Sequence, residues 1–313
     1  MGDTLSCRLC GQELTRTFVD LGMSPPCESY LRADQLENGE TFYPLHVRIC
    51  DNCLLVQLPA YVAADEIFSD YLYFSSYSTS WVAHAERFVE EMTGRLGLDE
   101  NSFVVEVASN DGYLLQHAVK RGIRALGIEP AANIGEVARE KGVPTETMFL
   151  GEETGKDVAA RYGKADLVAG NNVYAHVPDL LDFSKGLRAL VADGGLVSLE
   201  FPHLLRLIEG RQYDTIYHEH FSYLSLKTAS DALATAGLMV VDVQELPTHG
   251  GSLRVFSQPV ETAGEPSDLV QKVLADEREA GLHTVEGHAG FAREVMTIKA
   301  DLVEFLINCA RES

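Results

Sequence analysis

The pattern of apolar and polar positions changes character near residue 100. Beyond it, short apolar runs alternate with segments whose apolar residues recur every three or four positions. The runs at 103–108, 124–128, 166–170 and 196–201 predict buried strands, and the stretches near 113–121, 131–141, 156–162 and 178–191 predict helices. Such alternation calls for a parallel sheet with helices on both faces, right-handed crossovers, and a ligand at the carboxyl ends of the strands. After a helix at 226–236, strands at 239–244 and 252–258 are joined by Pro247-Thr248-His249-Gly250-Gly251. That short link predicts a hairpin, which makes the last strand antiparallel within an otherwise parallel sheet. Ahead of residue 100 the pattern gives strands near 42–49 and 54–58, an irregular insertion Leu21-Gly22-Met23-Ser24-Pro25-Pro26, and a helix over 81–96. In the tail, Phe291, Val295, Ile298, Leu302, Phe305 and Cys309 are spaced alternately by four and three, a helical stripe that must be covered by the body, by an oligomer partner or by something missing. The chain is thus expected to divide into a small module at 1–66, a tyrosine-rich lid and linking helix at 67–100, an α/β Rossmann-like domain at 101–262 and a helical tail at 263–313.

The first strand, turn and helix of the alternating region carry the clearest chemistry. One glutamate, Glu106, interrupts the apolar run, and Ala108-Ser109-Asn110-Asp111-Gly112 forms the turn. A dinucleotide site needs Gly-x-Gly-x-x-Gly there, and this turn has a single glycine. It fits instead the acid-first loop of S-adenosylmethionine enzymes, whose ligand has no pyrophosphate to cradle. Glu129, at the end of the second strand, is placed to take both ribose hydroxyls. With Pro130 behind it and Asn171 and Asn172 after a later strand, these residues are the expected cofactor contacts.

Composition narrows the remaining choices. With 313 residues, 46% of them hydrophobic and 23% charged, the chain is an ordinary globular one of more than one domain. A formal net charge of -22 argues against sequence-independent nucleic-acid binding, which rests on lysine and arginine. No apolar run is long enough to span a bilayer, and the N-terminus has no basic-then-apolar leader, so a cytoplasmic protein is expected. Four of the six cysteines form two Cys-x-x-Cys pairs, Cys7/Cys10 and Cys50/Cys53. Two such knuckles complete a four-thiolate Zn²⁺ shell with no open position, the mark of a structural site that folds a segment poor in apolar residues. Cys27 and Cys309 stand apart and read as half-buried apolar residues.

Three further segments offer groups for catalysis. Tyr217-His218-Glu219-His220 follows the strand at 196–201, where an acceptor would approach. Either histidine could take a proton next to a carbonyl, with Glu219 orienting it. His176, after Asn171-Asn172-Val173-Tyr174-Ala175, lies at the same sheet edge. His249 and Arg254 flank the paired glycines of the hairpin and could meet an anion. The uncharged stretch 71–80, with Tyr71, Tyr73 and Tyr77, reads either as an inter-domain seam or as a lid over the nucleotide site.

Taken together, the cysteine pairs, the 71–80 segment, Glu106–Gly112, Gly127-Ile128-Glu129-Pro130, 171–179, 194–202, Tyr217–His220 and 248–254 resemble the zinc-containing, S-adenosylmethionine-dependent C-methyltransferases that act on nucleotide-linked keto-deoxysugars in antibiotic pathways. The resemblance implies methylation of the carbon beside the ketone of a dTDP-linked 4-keto sugar, at C3 or C5, through a base-generated enolate. It also implies His220 as the base with Tyr217 and Glu219 in support, and His176 and Tyr71 near the sugar; beside these, Tyr73, Tyr77, His249 and Arg254 are expected from their own positions to line the substrate. Ala108 departs from the glycine of many relatives. The family normally continues into a further C-terminal domain, expected to be absent here, so the chain is expected to be a monomer or to associate through its last helix. Two alternatives accompany this reading: a cofactor-binding partner subunit without turnover, and a small-molecule O- or N-methyltransferase.

Overall fold

The computed structural model describes residues 5–27, 29–63, 68 and 72–312. The N-terminal segment forms β1 (Arg16–Ser24), β2 (Tyr43–Ile49) and β3 (Val56–Gln57), paired antiparallel in that order. β2 and β3 fall where the apolar pattern puts them. β1 runs through the first part of the stretch read as an irregular insertion. Register shifts at Thr17/Val19 and Asp20/Met23 break its two-residue period, so its sequence shows no strand signature.

Helix α1 (Thr79–Leu96) begins at Ser78, whose hydroxyl accepts from the Trp81 amide, and ends at Gly97 in a left-handed turn. Then follow β4 (Phe103–Val107), α2 (Leu115–Lys120), β5 (Arg124–Ile128), α3 (Ala132–Glu140), β6 (Thr145–Glu146), α4 (Glu152–Tyr162), β7 (Ala165–Asn171), α5 (Leu180–Leu190), β8 (Val191–Pro202), α6 (Leu204–Gly210), β9 (Ser222–Tyr223), α7 (Leu226–Thr235), β10 (Leu238–Leu246), β11 (Ser252–Pro259), α8 (Asp268–Glu279) and α9 (Phe291–Glu312).

The main sheet has seven strands in the order β10-β11-β8-β7-β4-β5-β6. β6, β5, β4, β7 and β8 are parallel neighbours, and β11 alone runs antiparallel between β8 and β10, as the hairpin predicts. All five residues of β4 are buried, which is why, Glu106 apart, its sequence is apolar on both faces and not alternating. Helices cover both faces. α5 and α7 belong to the larger core, and the Phe88 and Met92 face of α1 packs on the other side with Phe256 of β11.

A third core joins regions distant in sequence. Phe18, Val47 and Val56 of the N-terminal sheet pack with Leu204 and Leu207 of α6, Tyr223 of β9, Leu282, and Phe291 and Val295 of α9. The Phe18 and Phe291 rings stack at 4.8 Å. The C-terminal stripe is therefore half covered. Its first turns bury against the N-terminal sheet, whereas Leu302 and Phe305 are 50% and 62% exposed. Among the described residues no helix is long and apolar enough to cross a membrane.

Candidate active site and metal centre

The two cysteine knuckles converge. The four Sγ atoms of Cys7, Cys10, Cys50 and Cys53 all lie within 4.8 Å of one another, and the cross-knuckle pairs Cys7/Cys53 and Cys10/Cys50 are 3.5 Å apart. A tetrahedral zinc with bonds of about 2.3 Å spaces its sulfurs by roughly 3.8 Å, whereas a disulfide brings them to about 2.05 Å. The cluster fits a closed structural zinc and no disulfide. Gln57, 1% exposed on β3, donates to Cys7 Sγ at 3.1 Å, an outer contact of the kind that orients a metal ligand.

At the carboxyl edge of the main sheet, β4 turns into the loop 108–112 through two non-glycine residues with left-handed backbone, Ala108 (φ 54°) and Asn110 (φ 48°). Gly112 takes the same hand at φ 78°, and a Cβ there would meet Val143. A Cβ on Gly127 would collide with Ser109 Oγ, so that glycine is required for the loop to lie on β5. Glu129 is 4% exposed; its two oxygens accept from the Asn110 and Ala131 amides, each at 2.9 Å. Burial nonetheless leaves its carboxyl above the ordinary range. Half-buried Pro130 follows it.

Asn110 and Asp111 face the 71–80 segment. Asn110 Oδ1 accepts from the Ser75 amide (2.8 Å) and its Nδ2 donates to the Tyr73 carbonyl (3.0 Å). Asp111 Oδ2 accepts from Ser76 and, at 2.8 Å, from Lys141. These bonds hold the turn Ser75–Tyr77 over the loop. Tyr73 and Tyr77 stand 46% and 80% exposed on it, and Tyr71 lies outside the described residues.

Several buried polar atoms here have no well-formed hydrogen bond among the described residues: both carboxylate oxygens of Glu106, Ser109 Oγ, Asp111 Oδ1, both amide atoms of Asn171, and Asn172 Oδ1, with the Tyr113 hydroxyl the one protein group acting on both Glu106 and Asn171. Burial holds the Glu106 carboxyl well above its ordinary range, and the neighbouring Glu129 and Asp111 push it the same way. Buried polar groups are normally paired, so unpaired ones gathered at neighbouring strand ends are what a polar ligand would complete. The set suits S-adenosylmethionine: carboxylates for an ammonium group and for ribose hydroxyls, amides for a purine or a carboxylate.

Beside this edge lies the loop before β9. His220 Nδ1 is 2.9 Å from the Thr215 carbonyl, which can only accept, so the ring proton sits on Nδ1. Nε2 is left with its lone pair, 2.9 Å from the Tyr217 hydroxyl, which donates to it. His176 meets His220 edge-to-face at 4.6 Å. Burial lowers His220 to about 4, and places His176 well below the usual imidazole value, with His220 and His249 adding to the effect. Both rings are neutral at pH 7. His218 points the other way, its Nε2 donating to the Pro44 carbonyl of β2 at 3.3 Å. Glu219 is 4% exposed and accepts from the Cys27 thiol at 3.0 Å.

His249 occupies a left-handed turn (φ 51°) edge-on to Trp81 at 5.4 Å, and burial lowers its imidazole below the ordinary value. Arg254 is sequestered. It is 3% exposed, donates to Glu200 at 2.7 Å, stands 2.9 Å from His84 Nε2, which itself donates to Glu200 at 2.9 Å, and lies over the Phe88 ring. Glu200 also accepts from Thr248, at 2.9 Å. Arg254 therefore braces the hairpin from within, in place of the open anion contact expected from sequence.

Sequence reasoning passed over Glu200, His84, Gln57, Arg8 and Tyr223. Glu200 had the same signal as Glu106, a lone acid in an apolar strand. Tyr223 and Gln57 sit in two-residue strands that carry no period, and Arg8 hides inside a metal knuckle.

Residues 7–68 match the family model of a zinc binding domain, residues 81–243 that of a methyltransferase domain, and residues 247–313 that of a C-methyltransferase C-terminal domain. The last match starts within the hairpin link, ahead of the expected boundary at 263, so the chain carries sequence of that domain. The C-methyltransferase NovU of Streptomyces niveus is 35% identical over 300 residues, covering 96% of this chain and 71% of NovU. Among solved structures, an S-adenosylmethionine-dependent methyltransferase from Clostridium acetobutylicum has a TM-score of 0.44 at 10% identity, over 55% of this chain and 89% of that one. The PH0226 protein of Pyrococcus horikoshii has a TM-score of 0.45 at 13% identity, over 60% and 94%. The chain belongs to the zinc-binding, S-adenosylmethionine-dependent C-methyltransferases.

Proposed function

We propose that the protein methylates the carbon beside the ketone of a dTDP-linked 4-keto-deoxysugar, in the cytoplasm, as a step in making an antibiotic sugar. The observation that carries this reading is the fixed tautomer of His220: a neutral ring whose Nε2 lone pair is held at the sheet edge beside His176. A carbon acid needs such a base, because the C–H proton must leave before the carbon is nucleophilic. S-adenosylmethionine, held by Glu106, Ser109, Glu129, Asn171 and Asn172, supplies an electrophilic methyl group when bound.

The protein's own groups do the rest. His220 Nε2 takes the proton, and the electron pair of the C–H bond moves into the enolate. The Thr215 carbonyl steadies the imidazolium through Nδ1–H. The Tyr217 hydroxyl, released from Nε2, donates to the enolate oxygen, with His176 against the same ring. Glu219 fixes the loop through Cys27, and Tyr73, Tyr77 and His249 border the sugar.

The test is exchange of the α-proton of a dTDP-4-keto sugar in D₂O, together with turnover. His220→Asn keeps the bond to Thr215 but has no basic Nε2, and is expected to slow both by 10²–10⁴-fold. An unchanged rate in this variant would sink the base assignment and favour methylation of an oxygen or nitrogen acceptor.

A further inference from the structure

The zinc knuckle and the catalytic loop are joined by one side chain. Arg8 lies between the metal ligands Cys7 and Cys10. Its backbone amide donates to Gln57 Oε1 at 3.0 Å, while Gln57 Nε2 donates to Cys7 Sγ at 3.1 Å. From that anchor the guanidinium reaches the Leu58 carbonyl (2.5 Å) and the Val177 and Pro178 carbonyls (3.5 and 3.2 Å), and lies 5.4 Å from the Phe221 ring centre.

Two of these contacts fall on residues that follow a proposed catalytic histidine, and the Leu58 contact reaches the same backbone through Phe221. Val177 follows His176, and Phe221 follows His220. The Phe221 amide donates to the Ala175 carbonyl (2.8 Å), and its carbonyl accepts from Leu58 (3.0 Å). β9 then pairs with β3 as Gln57↔Ser222 and Val56↔Tyr223. A planar fork of donors suits three carbonyls converging from two segments; a lysine, with a single point charge, cannot span them.

We propose that Arg8 is a positioning residue, through which the zinc knuckle sets the backbone at 175–178 and 221 and so the mutual geometry of His176 and His220. This rests on the reading of His220 as the base, and extends it: the metal site, which does no chemistry, is a determinant of rate because it holds Arg8.

The test uses the full chain carrying Arg8→Met, with Arg8→Lys as the milder change. Zinc content and S-adenosylmethionine affinity by calorimetry are expected to stay at wild-type values. Long-range ¹⁵N–¹H spectra of the imidazoles are expected to show His220 leaving its single Nδ1–H tautomer and His176 shifting, while His288, remote in the third core, stays fixed. The kcat is expected to fall roughly 10- to 100-fold in Arg8→Met, with KM moving far less, and Arg8→Lys to lie between. Unchanged imidazole signals in either folded variant would overturn the proposal, and so would loss of zinc from both, since Arg8 would then serve the fold of the knuckle. The spectra need no substrate. A wild-type protein that fails to exchange the sugar proton therefore counts against the base assignment, separately from the positioning role.

Discussion

Glu106 and Glu200 begin alike and end apart. Each is a single acid inside an apolar strand, each strand is central in the sheet, and each side chain is fully buried. Burial drives Glu200 upward, yet His84 and Arg254 outweigh it and hold the carboxyl below its ordinary range. Its oxygens are taken by Thr248, His84 and Arg254. Glu106 has no such cation: neither of its oxygens has a well-formed hydrogen bond among the described residues, the Tyr113 hydroxyl alone pulls its carboxyl down, and burial outweighs that pull. A saturated buried acid is scaffold; an unsaturated one, beside Ser109 and Asn171 in the same condition, is an invitation to a ligand.

The contrast can be broken from either side. Arg254→Met leaves the Glu200 carboxylate buried without its cation, and is expected to cost about 3–5 kcal/mol in urea unfolding. Glu106→Gln is expected to do the opposite. It replaces an acid whose charged form burial already disfavours with a neutral isostere, so stability holds or rises by about 1 kcal/mol, while S-adenosylmethionine affinity falls roughly 10- to 100-fold in calorimetry. If the two variants destabilised equally, the distinction between scaffold and site would fail.

Protonation sharpens the same point at the base. His220 sits at about 4 in the folded protein against about 6.5 unfolded, so below 6.5 the unfolded chain binds a proton that the folded one refuses. That cost is absent at pH 7 and grows as pH falls toward 4. The unfolding free energy of His220→Asn relative to wild type is therefore expected to rise by about 3 kcal/mol between pH 7 and pH 4. A flat difference would mean that the ring is not buried neutral. The smallest effect belongs to the loop itself. Ala108→Gly removes the cost of a left-handed alanine and is expected to be neutral or stabilising by about 1 kcal/mol in thermal unfolding, with cofactor affinity retained.

How much of this was legible follows from where periodicity exists. The strands of the main sheet and the antiparallel β11 could be read because buried strands and amphipathic helices repeat over many residues. β1, bulged twice, and β9, two residues long, left no repeat to read. The cofactor loop was legible from a single acid and a single glycine. The choice between His218 and His220 was not, because two residues apart on a loop they diverge only by the carbonyls each finds, Pro44 for one and Thr215 for the other. Arg254 looked free because nothing in the sequence announces Glu200 and His84 as its partners.

The core shared by Phe18, Leu204, Leu282 and Phe291 bears on how the chain is made. The zinc ligands leave the ribosome early, with all four cysteines within the first 53 residues, yet the sheet they belong to lacks its fourth strand until Tyr223 is synthesised and its apolar cover until Val295. At a synthesis rate of about 5–20 residues per second, that is an interval of tens of seconds in which metal can be captured but Phe18, Val47 and Val56 lack the cover that Leu282, Phe291 and Val295 bring. The N-terminal module is thus among the first parts translated and the last to close.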